Sequence, residues 1–286
     1  MTTGFGTGRA VEMSDEEFLL IRDLITSYCG IYFDETFKYL VERRLQPRLP
    51  VFGFGSFRDY YRHLKYSPDA TREFDEIVER ITTNETYFFR EAYQLKAFTD
   101  EVLPDIMRQR NLGDRIRIWS AGCSTGEEPY SISMLLDEIP AAKGYSFDIF
   151  GNDISRKVLK QARSGMFRES SFRQTDPAYI DRYFKPEERN AYRLADAVRE
   201  RVTFGHLNLM DEASMALISN VDVIFCRNVI IYFSAESRHQ LIAMFHRKLR
   251  PGGYLLLGHS ESLVNLSTDF ELVPLKNDIV YRKPGL

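Results

Sequence analysis

From Arg115 onward, short apolar runs alternate with segments of helical periodicity, and this alternation constrains the fold more than any other feature of the chain. The strand-like runs are RIRIWS, SFDIFGND, RVTFGHLNL, VDVIFCRN and GYLLLGHS, with helical stretches at 129–139, 155–164 and 235–249. Strands that alternate with helices form a mostly parallel sheet covered on both faces. The last run, FELVPLKNDIVYRK, predicts an antiparallel hairpin that closes the sheet edge.

The first 85 residues have a different periodicity, which predicts a separate small helical domain. Ser14 and Glu17 form a capping box ahead of a helical repeat that stops at Gly30. Further helices are expected over about 37–46, from Ser56, and after Pro68. We therefore predict a helical domain over 1–85 and a sheet domain over 86–286, with a small β-element inserted at about 167–200, where the sequence is polar and rich in turns.

Several functional classes are disfavoured by composition. No run reaches the 18 or so apolar residues of a membrane span, and the start, MTTGFGTGRAVEM, lacks the pattern of a signal peptide. The three cysteines are isolated from one another, which favours thiols in a reducing compartment, so we expect a cytoplasmic protein. A net charge of −3 gives no overall attraction to nucleic acid or to an anionic membrane.

Charge is nevertheless concentrated locally. Residues 38–65 carry seven lysines and arginines against two acidic residues, which follows an acidic stretch over residues 1–35. Such a segment is either a docking surface for an acidic partner or an ordinary solvated helical face, and the charge alone leaves both interpretations open.

Ligands of an open parallel sheet bind outside the carboxyl ends of the strands, so the residues there are the candidates for function. After the first strand, AGCSTGEEP brings small residues to a helix start, yet it matches neither a phosphate-binding loop nor the dinucleotide pattern. Asp153 ends the second strand and can hold ribose hydroxyls, cap the next helix, or do both. Asn208 and Leu209, expected to close the third strand, offer an amide edge and an apolar face to an adenine.

The fourth strand, VDVIFC, ends in the polar pair Arg227 and Asn228, which is hard to justify as core. Tyr232 follows, either as a functional group or as ordinary packing. Nucleoside recognition without a phosphate cradle, together with a terminal antiparallel hairpin, favours S-adenosylmethionine over a nicotinamide cofactor.

At this level of detail the sequence resembles a known family. The segments TTNETYFFRE, IWSAGCSTGEEPYSI, FGNDIS, IFCRNVIIYF and RPGGYLLLGHSES look like those of the chemotaxis receptor methyltransferases, the CheR family, and the similarity covers essentially the whole chain. The resemblance implies an α/β, Rossmann-like S-adenosylmethionine-dependent methyltransferase with a helical amino-terminal domain and an inserted β-subdomain. It also implies a cytoplasmic protein-glutamate O-methyltransferase for sensory adaptation, which methylates glutamates on the helical region of chemoreceptors and releases S-adenosylhomocysteine.

The resemblance further implies the site residues. Carried over by motif, the cofactor contacts are Asn84, Thr86, Arg90, Glu128, Asp153, Asn208, Leu209, Arg227 and Asn228. Arg90 and Tyr232 are the family's candidates for groups beside the reacting methyl. Glu127 is interpreted instead as a first-turn helix charge. We expect no metal, because His239 and His246 share a helix without a cysteine or carboxylate at ligand spacing.

Partners follow from the same resemblance. Receptor methylation regions are glutamate-bearing helices, so the docking candidates are Lys38, Arg43, Arg44 and Arg48. The stretch RYFKPEERNAYRLADAVRERVTF is short and lacks the glycine-containing turn that some members use to bind a tethering peptide at the receptor carboxyl terminus, so we expect independence from that peptide. We also expect a monomer, since no heptad or long apolar patch demands a dimer.

Two rival hypotheses remain at this stage. One is an S-adenosylmethionine enzyme acting on RNA or a small molecule, with the basic helical domain as the RNA surface. Against it, the chain has Cys226, Arg227 and Asn228 in place of the Asn/Asp-Pro-Pro-Tyr motif of amino-group methylation. The other rival is a cofactor-binding scaffold that does not catalyse, which the presence of Arg90 and Tyr232 disfavours.

Overall fold

Residues 11–82 form a helical unit, and the chain divides into two compact units between Thr82 and Thr83, close to the boundary predicted at residue 85. The structure is a computed structural model that describes residues 11–285. The opening residues, from which the lack of a signal peptide was predicted, lie largely outside this range. Every helix within 11–285 is too short or too polar to cross a bilayer.

The first unit contains four α-helices that bury a compact apolar set. They are α1 (Asp15–Cys29), α2 (Lys38–Leu45), α3 (Phe57–Tyr66) and α4 (Ala70–Ile81), with 3₁₀ turns at Glu35–Phe37 and Gln46–Phe52. The predicted capping box is present: Glu17 N donates to Ser14 Oγ at 3.2 Å and Ser14 N donates to the Glu17 carboxylate at 2.8 Å. α2 ends at Leu45, ahead of Pro47, because proline cannot donate the next helical hydrogen bond.

The second unit is built on a seven-stranded sheet in the order β6-β2-β1-β7-β8-β10-β9. Its strands are β1 (Arg115–Ala121), β2 (Ser146–Asp153), β6 (Val202–His206), β7 (Val221–Cys226), β8 (Leu249–Leu257), β9 (Glu271–Pro274) and β10 (Ile279–Arg282). The first five strands in this order are parallel, while β10 runs antiparallel to both β8 and β9. The predicted α/β sheet with a terminal hairpin is therefore confirmed.

The central strands of this sheet are buried on both faces, and α7 (Glu127–Glu138), α8 (Arg156–Ser164) and α11 (Ala235–Lys248) pack directly against its strands. The other helices of this unit are α5 (Ala92–Ala97), α6 (Leu103–Arg108), α9 (Pro177–Tyr183) and α10 (Asp196–Arg199). Alternate residues of β7 face opposite ways: Val223 and Phe225 belong to one apolar cluster, and Ile224 and Cys226 belong to the other. Burial on both faces explains why VDVIFC is a continuous apolar run.

A second, three-stranded antiparallel sheet lies in the segment between α8 and β6. It contains β3 (Met166–Arg168), β4 (Phe184–Glu187) and β5 (Ala191–Leu194) in the order β3-β5-β4. The turn that joins β4 to β5 has no glycine, and Arg189 and Asn190 adopt left-handed backbone conformations there, with φ of 58° and 55°.

Candidate functional site

The carboxyl ends of β1, β2 and β7 meet at the point where the strand order reverses. β1 pairs with β2 on one side, with Ala121 opposite Asn152, and with β7 on the other, with Ser120 opposite Phe225. In open parallel sheets a crevice forms at such a reversal, because the flanking helices leave on opposite faces. The loops that follow these strands therefore define the candidate active site.

The loop after β1 packs closely against the loop after β7 and the end of β2. Gly122 has φ of +79°, and a Cβ there would lie 2.6 Å from Cγ2 of Val229, so only glycine fits. The backbone amides of Gly122 and Cys123 donate to the Asn152 carbonyl at 2.9 and 2.8 Å. This loop is thus fixed onto the end of β2 and leads directly into α7.

Asp153 connects this loop to the end of β2. Its carboxylate accepts the amide of Ser124 at 2.9 Å and the amide of Ser155 at 2.9 Å. The helix-cap interpretation of Asp153 is wrong, because Ser155 is the N-cap of α8 and its Oγ accepts the Val158 amide at 3.2 Å. A carboxylate accepts about four hydrogen bonds, so Asp153 has the chemistry to receive hydroxyl donors as well.

Ser124 supplies an independent test of whether a nucleoside cofactor fits here. Its Oγ is buried, and within residues 11–285 it has no hydrogen-bond partner. Buried hydroxyl groups normally have a hydrogen-bond partner, so Ser124 Oγ is expected to bond to a polar group of a bound molecule. A cofactor with ribose hydroxyls beside Asp153, lying on the backbone near Gly122, satisfies that requirement, and the residues present fit S-adenosylmethionine.

Arg227, directly after β7, organises the centre of the site. Its side chain is only 2% exposed, and its guanidinium donates to Gln94 Oε1 at 2.7 Å and lies 3.1 Å from Glu128 Oε2. It also contacts the Arg90 carbonyl and lies 3.2 Å from Glu91 Oε2. Glu128 in turn accepts Ser120 Oγ at 2.6 Å. The predicted residues Arg90, Glu128 and Arg227 are therefore brought together.

Asn228 follows in a left-handed conformation, with φ of 59°, and its loop is held by Glu261. The Glu261 carboxylate accepts the backbone amides of Asn228, Val229 and Gly258 at 2.8, 2.9 and 2.7 Å, and that of Ile231 at 3.3 Å. Burial raises the pKa of the Glu261 carboxyl above its ordinary value, although these amide hydrogen bonds act in the opposite direction. Glu261 thereby fixes the loop that ends in Tyr232.

Tyr232 presents its side chain outward rather than into the core. Its side chain is 42% exposed, whereas its neighbour Ile230 is buried in the apolar cluster beneath the loop. The alternative that Tyr232 serves as ordinary packing therefore loses its support. An exposed tyrosine on a backbone fixed by Glu261 is available to a ligand.

Arg90 lies on a segment that is anchored on both sides. The amide of Phe89 donates to Ser131 Oγ at 3.0 Å, and the amide of Phe88 donates to the Ser171 carbonyl at 2.9 Å. Arg90 donates to the Glu85 carbonyl at 2.7 Å, and its guanidinium carbon lies 5.7 Å from the centre of the Tyr87 ring. The backbone of Arg90 is thus held against Arg227 through its carbonyl, and the residue is half-buried.

Other predicted residues are placed less centrally. Asn84 is exposed and Thr86 is half-buried, both on the segment that leads to Arg90. β6 ends at His206, so Asn208 and Leu209 lie beyond the strand and do not close it. Asn208 Oδ1 accepts the Met210 amide at 3.0 Å, and Leu209 packs in the same apolar cluster as Trp119.

The sequence interpretation missed Glu261, Gln94 and Glu91. Glu261 had a usable signal, because GHSES follows the end of a central strand just as Arg227 and Asn228 do. Glu91 had one too, because it ends the segment TTNETYFFRE directly after Arg90, whereas Gln94 had none, since it lies in an ordinary short helix. Glu127 is in the first turn of α7, as predicted, and it is also buried: its carboxylate accepts Thr125 Oγ1 at 2.6 Å and Ser171 Oγ at 3.0 Å.

Metal-binding geometry is not found in the described part of the chain. Residues 11–285 hold no cluster of three or more histidine, cysteine or acidic side chains placed to bind an ion. His239 Nδ1 lies 2.9 Å from the Leu266 carbonyl instead.

Comparisons with known proteins agree with this geometry. Residues 84–279 match the family "CheR methyltransferase, SAM binding domain", and residues 16–82 match "CheR methyltransferase, all-alpha domain". The chain is 37% identical to chemotaxis protein methyltransferase 2 of Vibrio cholerae over 275 residues, which covers 96% of this chain and 95% of that one. It is 36% identical to chemotaxis protein methyltransferase 1 of Pseudomonas aeruginosa over 274 residues, covering 94% and 98%.

Proposed function

The chain belongs to the CheR methyltransferase family and is an S-adenosylmethionine-dependent methyltransferase of chemotaxis, and from this premise we propose that it methylates glutamate γ-carboxylates on the cytoplasmic helical region of chemoreceptors. The products are glutamate methyl esters and S-adenosylhomocysteine, and the reaction takes place in the cytoplasm. The observation that carries the proposal is the convergence of Arg90, Glu128 and Arg227 at the strand reversal, one loop away from Asp153.

The chemistry requires alignment rather than acid–base catalysis. The cofactor supplies a methyl group on a positively charged sulfur. A glutamate acceptor has a reference pKa of about 4.3, so it is already ionised at neutral pH and needs no general base. The protein must remove water from both charges and hold the reacting atoms about 3 to 3.5 Å apart.

Two side chains suit this task. Arg90 can hold the acceptor carboxylate through two parallel N–H donors, a planar contact that lysine does not reproduce. Tyr232 offers a hydroxyl donor and an aromatic face, which attracts a nearby cation. Four of the five N–H donors of Arg227 are directed to Gln94, Glu128, Glu91 and the Arg90 carbonyl, so its proposed role is to position Arg90 and Glu128.

The cofactor is proposed to lie along the carboxyl edge of β1 and β2. Asp153 receives its ribose hydroxyls, and Ser124 Oγ gains the partner it lacks within the described residues. Asn208 and Leu209 receive the adenine. The remaining proposed contacts to the cofactor are Glu128, Asn228, Asn84 and Thr86. Glu128 is proposed to accept the ammonium group, because its carboxylate is negatively charged and is held in place by Ser120 Oγ and Arg227.

Receptor docking is proposed to use the basic helix α2, with one revision. Arg48 is withdrawn as a docking residue, because its guanidinium donates to the buried Glu73 carboxylate at 2.8 and 2.6 Å. Arg44 donates to the Ile81 carbonyl at 2.6 Å, and Lys38 lies 2.5 Å from Asp15 Oδ1. Arg43 is exposed and becomes the principal docking candidate.

We expect Arg43→Glu to raise KM for a receptor fragment about tenfold at 50 mM salt, because charge reversal opposes an acidic partner. The difference in KM between Arg43→Glu and wild type should shrink at about 500 mM salt, where the Debye length falls to a few ångströms. The measurement is initial methylation rate against receptor concentration, with Arg72→Glu, an exposed arginine on α4, as the matched control. Equal KM values for Arg43→Glu and wild type at low salt would reject this docking surface.

We also propose that methylation does not depend on a tethering peptide at the receptor carboxyl terminus. The β4–β5 turn lacks glycine and uses Arg189 and Asn190 in left-handed conformations. Removing the carboxyl-terminal peptide from a receptor should leave its methylation rate unchanged. Micromolar binding of such a peptide to the purified protein would count against this proposal.

The experiment that tests the function is incubation with labelled S-adenosylmethionine and a receptor cytoplasmic fragment. The proposal predicts a base-labile methyl ester on glutamate that disappears when the acceptor glutamates are replaced by alanine. Base-stable label on RNA or on a small molecule, with none on the receptor, would support the rival methyltransferase activity instead.

A further inference from the structure

A cavity of about 510 Å³ lies at the carboxyl end of β8, against the turn that joins β9 and β10. Its lining includes Gln94, Glu261, Leu272, Leu275, Asp278 and Ile279. This volume is within the range of sites that hold ligands or side chains of a partner. Neither the cofactor contacts nor Arg90 and Tyr232 are among its lining residues.

The cavity nevertheless adjoins the candidate active site. Gln94, which lines it, accepts a hydrogen bond from Arg227 at 2.7 Å. Glu261, which also lines it, accepts the Asn228 amide at 2.8 Å. A single layer of side chains, which includes Gln94 and Glu261, therefore separates the cavity from Arg227 and from the loop that carries Tyr232.

Its position relative to the sheet indicates which reactant it serves. Asp153 and the proposed adenine contacts belong to β2 and β6, on one side of the strand reversal between β1 and β7. The cavity belongs to β8 and the hairpin, on the other side. Ligands lie over the carboxyl ends of the strands, so a second reactant meeting the cofactor at the reversal approaches from the β8 side.

The rim of the cavity is apolar and exposed. Val264, Leu272 and Ile279 all line it, and their side chains are 67%, 54% and 54% exposed. Large apolar side chains gathered around one concave surface are typical of a contact for another protein. Aliphatic side chains of a partner would remove this surface from water.

The cavity also carries an unsatisfied acceptor. Asp278 Oδ2 is buried and has no hydrogen-bond partner among residues 11–285. Burial raises the pKa of the Asp278 carboxyl, while hydrogen bonds from the Ile279 amide and the Gln94 side chain lower it, so the unsatisfied position is Oδ2 alone. A buried acceptor of this kind is stabilised by an N–H donor, and a cationic donor gives the strongest bond.

We propose that this cavity receives the part of the acceptor protein next to the methylated glutamate, with an aliphatic side chain on Leu272 and Ile279 and a lysine, arginine or glutamine side chain donating to Asp278. The proposal rests on the proposed function, and it predicts which receptor glutamates the enzyme methylates in preference to others. An acceptor with a second carboxylate at this position meets Asp278 and is disfavoured, because like charges in a desolvated contact repel.

The test uses Asp278→Asn and, separately, Leu272→Ser in the full chain. Each should raise KM for a receptor fragment about tenfold, the loss expected from one contact to a charged group or one buried apolar side chain. Turnover at saturating receptor and affinity for S-adenosylhomocysteine should stay unchanged. Asp269→Asn, an exposed acid outside the lining, is the matched control and should behave as wild type.

A substitution in the receptor completes the test. Replacing the basic or amide side chains within one helical turn of the methylated glutamate by glutamate should raise KM for the wild type and have a much smaller effect with Asp278→Asn. Unchanged KM in both Asp278→Asn and Leu272→Ser would overturn the proposal. Absence of any receptor methylation by the wild type would instead contradict the proposed function, so the two failures are distinguishable.

Discussion

Arg90→Ala should lower the rate of methyl transfer at saturating receptor and cofactor by at least about 100-fold, while the protein remains folded. Loss of a preorganised charged donor at the reacting group costs about that much or more, and misplacing the acceptor by 1 Å costs a similar factor. Folding should be little affected, because alanine retains the backbone carbonyl that contacts Arg227, and the side-chain bond to the Glu85 carbonyl that it loses is exposed. The residue itself is only half-buried.

Arg90→Lys separates charge from geometry. Lysine keeps the positive charge but loses the planar pair of donors, so we expect it to remain impaired by more than tenfold. The measurement is single-turnover methylation of a receptor fragment, with thermal unfolding as the check on folding. Arg115→Ala, an exposed arginine at the far end of β1, is the matched control. Wild-type turnover in Arg90→Ala would remove Arg90 from the reaction.

Asp153→Asn should weaken binding of S-adenosylhomocysteine by at least about 100-fold. The carboxylate is proposed to accept two ribose hydroxyls, and each charged hydrogen bond contributes a factor of roughly ten or more. The Ser124 and Ser155 amides donate to different oxygens of the carboxylate, so the NH2 group of an asparagine must face one of these two amides. Two donors facing each other disturb the loop after β1 and add to the loss.

Calorimetric titration measures this effect directly. Asp148→Asn is the matched control, because Asp148 lies on the same strand but is exposed at its opposite end. Asp148→Asn should bind as the wild type does. Equal affinity in Asp153→Asn and wild type, with both variants folded, would show that the ribose is not held there.

Much of the sheet domain could be predicted because its signals are local. Continuous apolar runs such as VDVIFC reflect burial on both faces, and the polar residues at the ends of runs mark where each strand leaves the core. Arg227 and Asn228 were identified on that basis, and the structure places both directly after β7. The Gly122 loop was identified in the same way, from small residues between a strand and a helix.

The remaining parts of the site depend on contacts between residues far apart in the chain. Gln94 and Arg227 are 133 positions apart, and Asn228 and Glu261 are 33 apart, so neither pair leaves a periodic pattern. The alternative that Asp153 caps α8 was wrong by two residues, because Asp153 and Ser155 are both good capping types and Ser155 is the N-cap. The third strand was predicted to close at Asn208 and Leu209, whereas β6 ends at His206.

The density of basic residues did not predict which arginines are free to contact an acidic partner. The segment from Lys38 to Lys65 reads as uniformly basic, yet Arg48 is engaged with Glu73, which lies on α4 and is almost fully buried. A buried carboxylate requires a partner, and the nearest arginine supplies it. The acidic residue that decides the role of Arg48 lies 25 positions away, so inspection of the basic segment alone does not find it.

The central claim is that the carboxyl rim of the sheet holds the adenosyl group at Asp153 and directs its sulfur toward Arg90 and Tyr232. A crystal structure of the protein with S-adenosylhomocysteine tests it most directly. The claim predicts both ribose hydroxyls within hydrogen-bonding distance of Asp153, a new partner for Ser124 Oγ, and the sulfur facing Arg90 and Tyr232. A nucleoside bound elsewhere, or a ribose that makes no contact with Asp153, would contradict it.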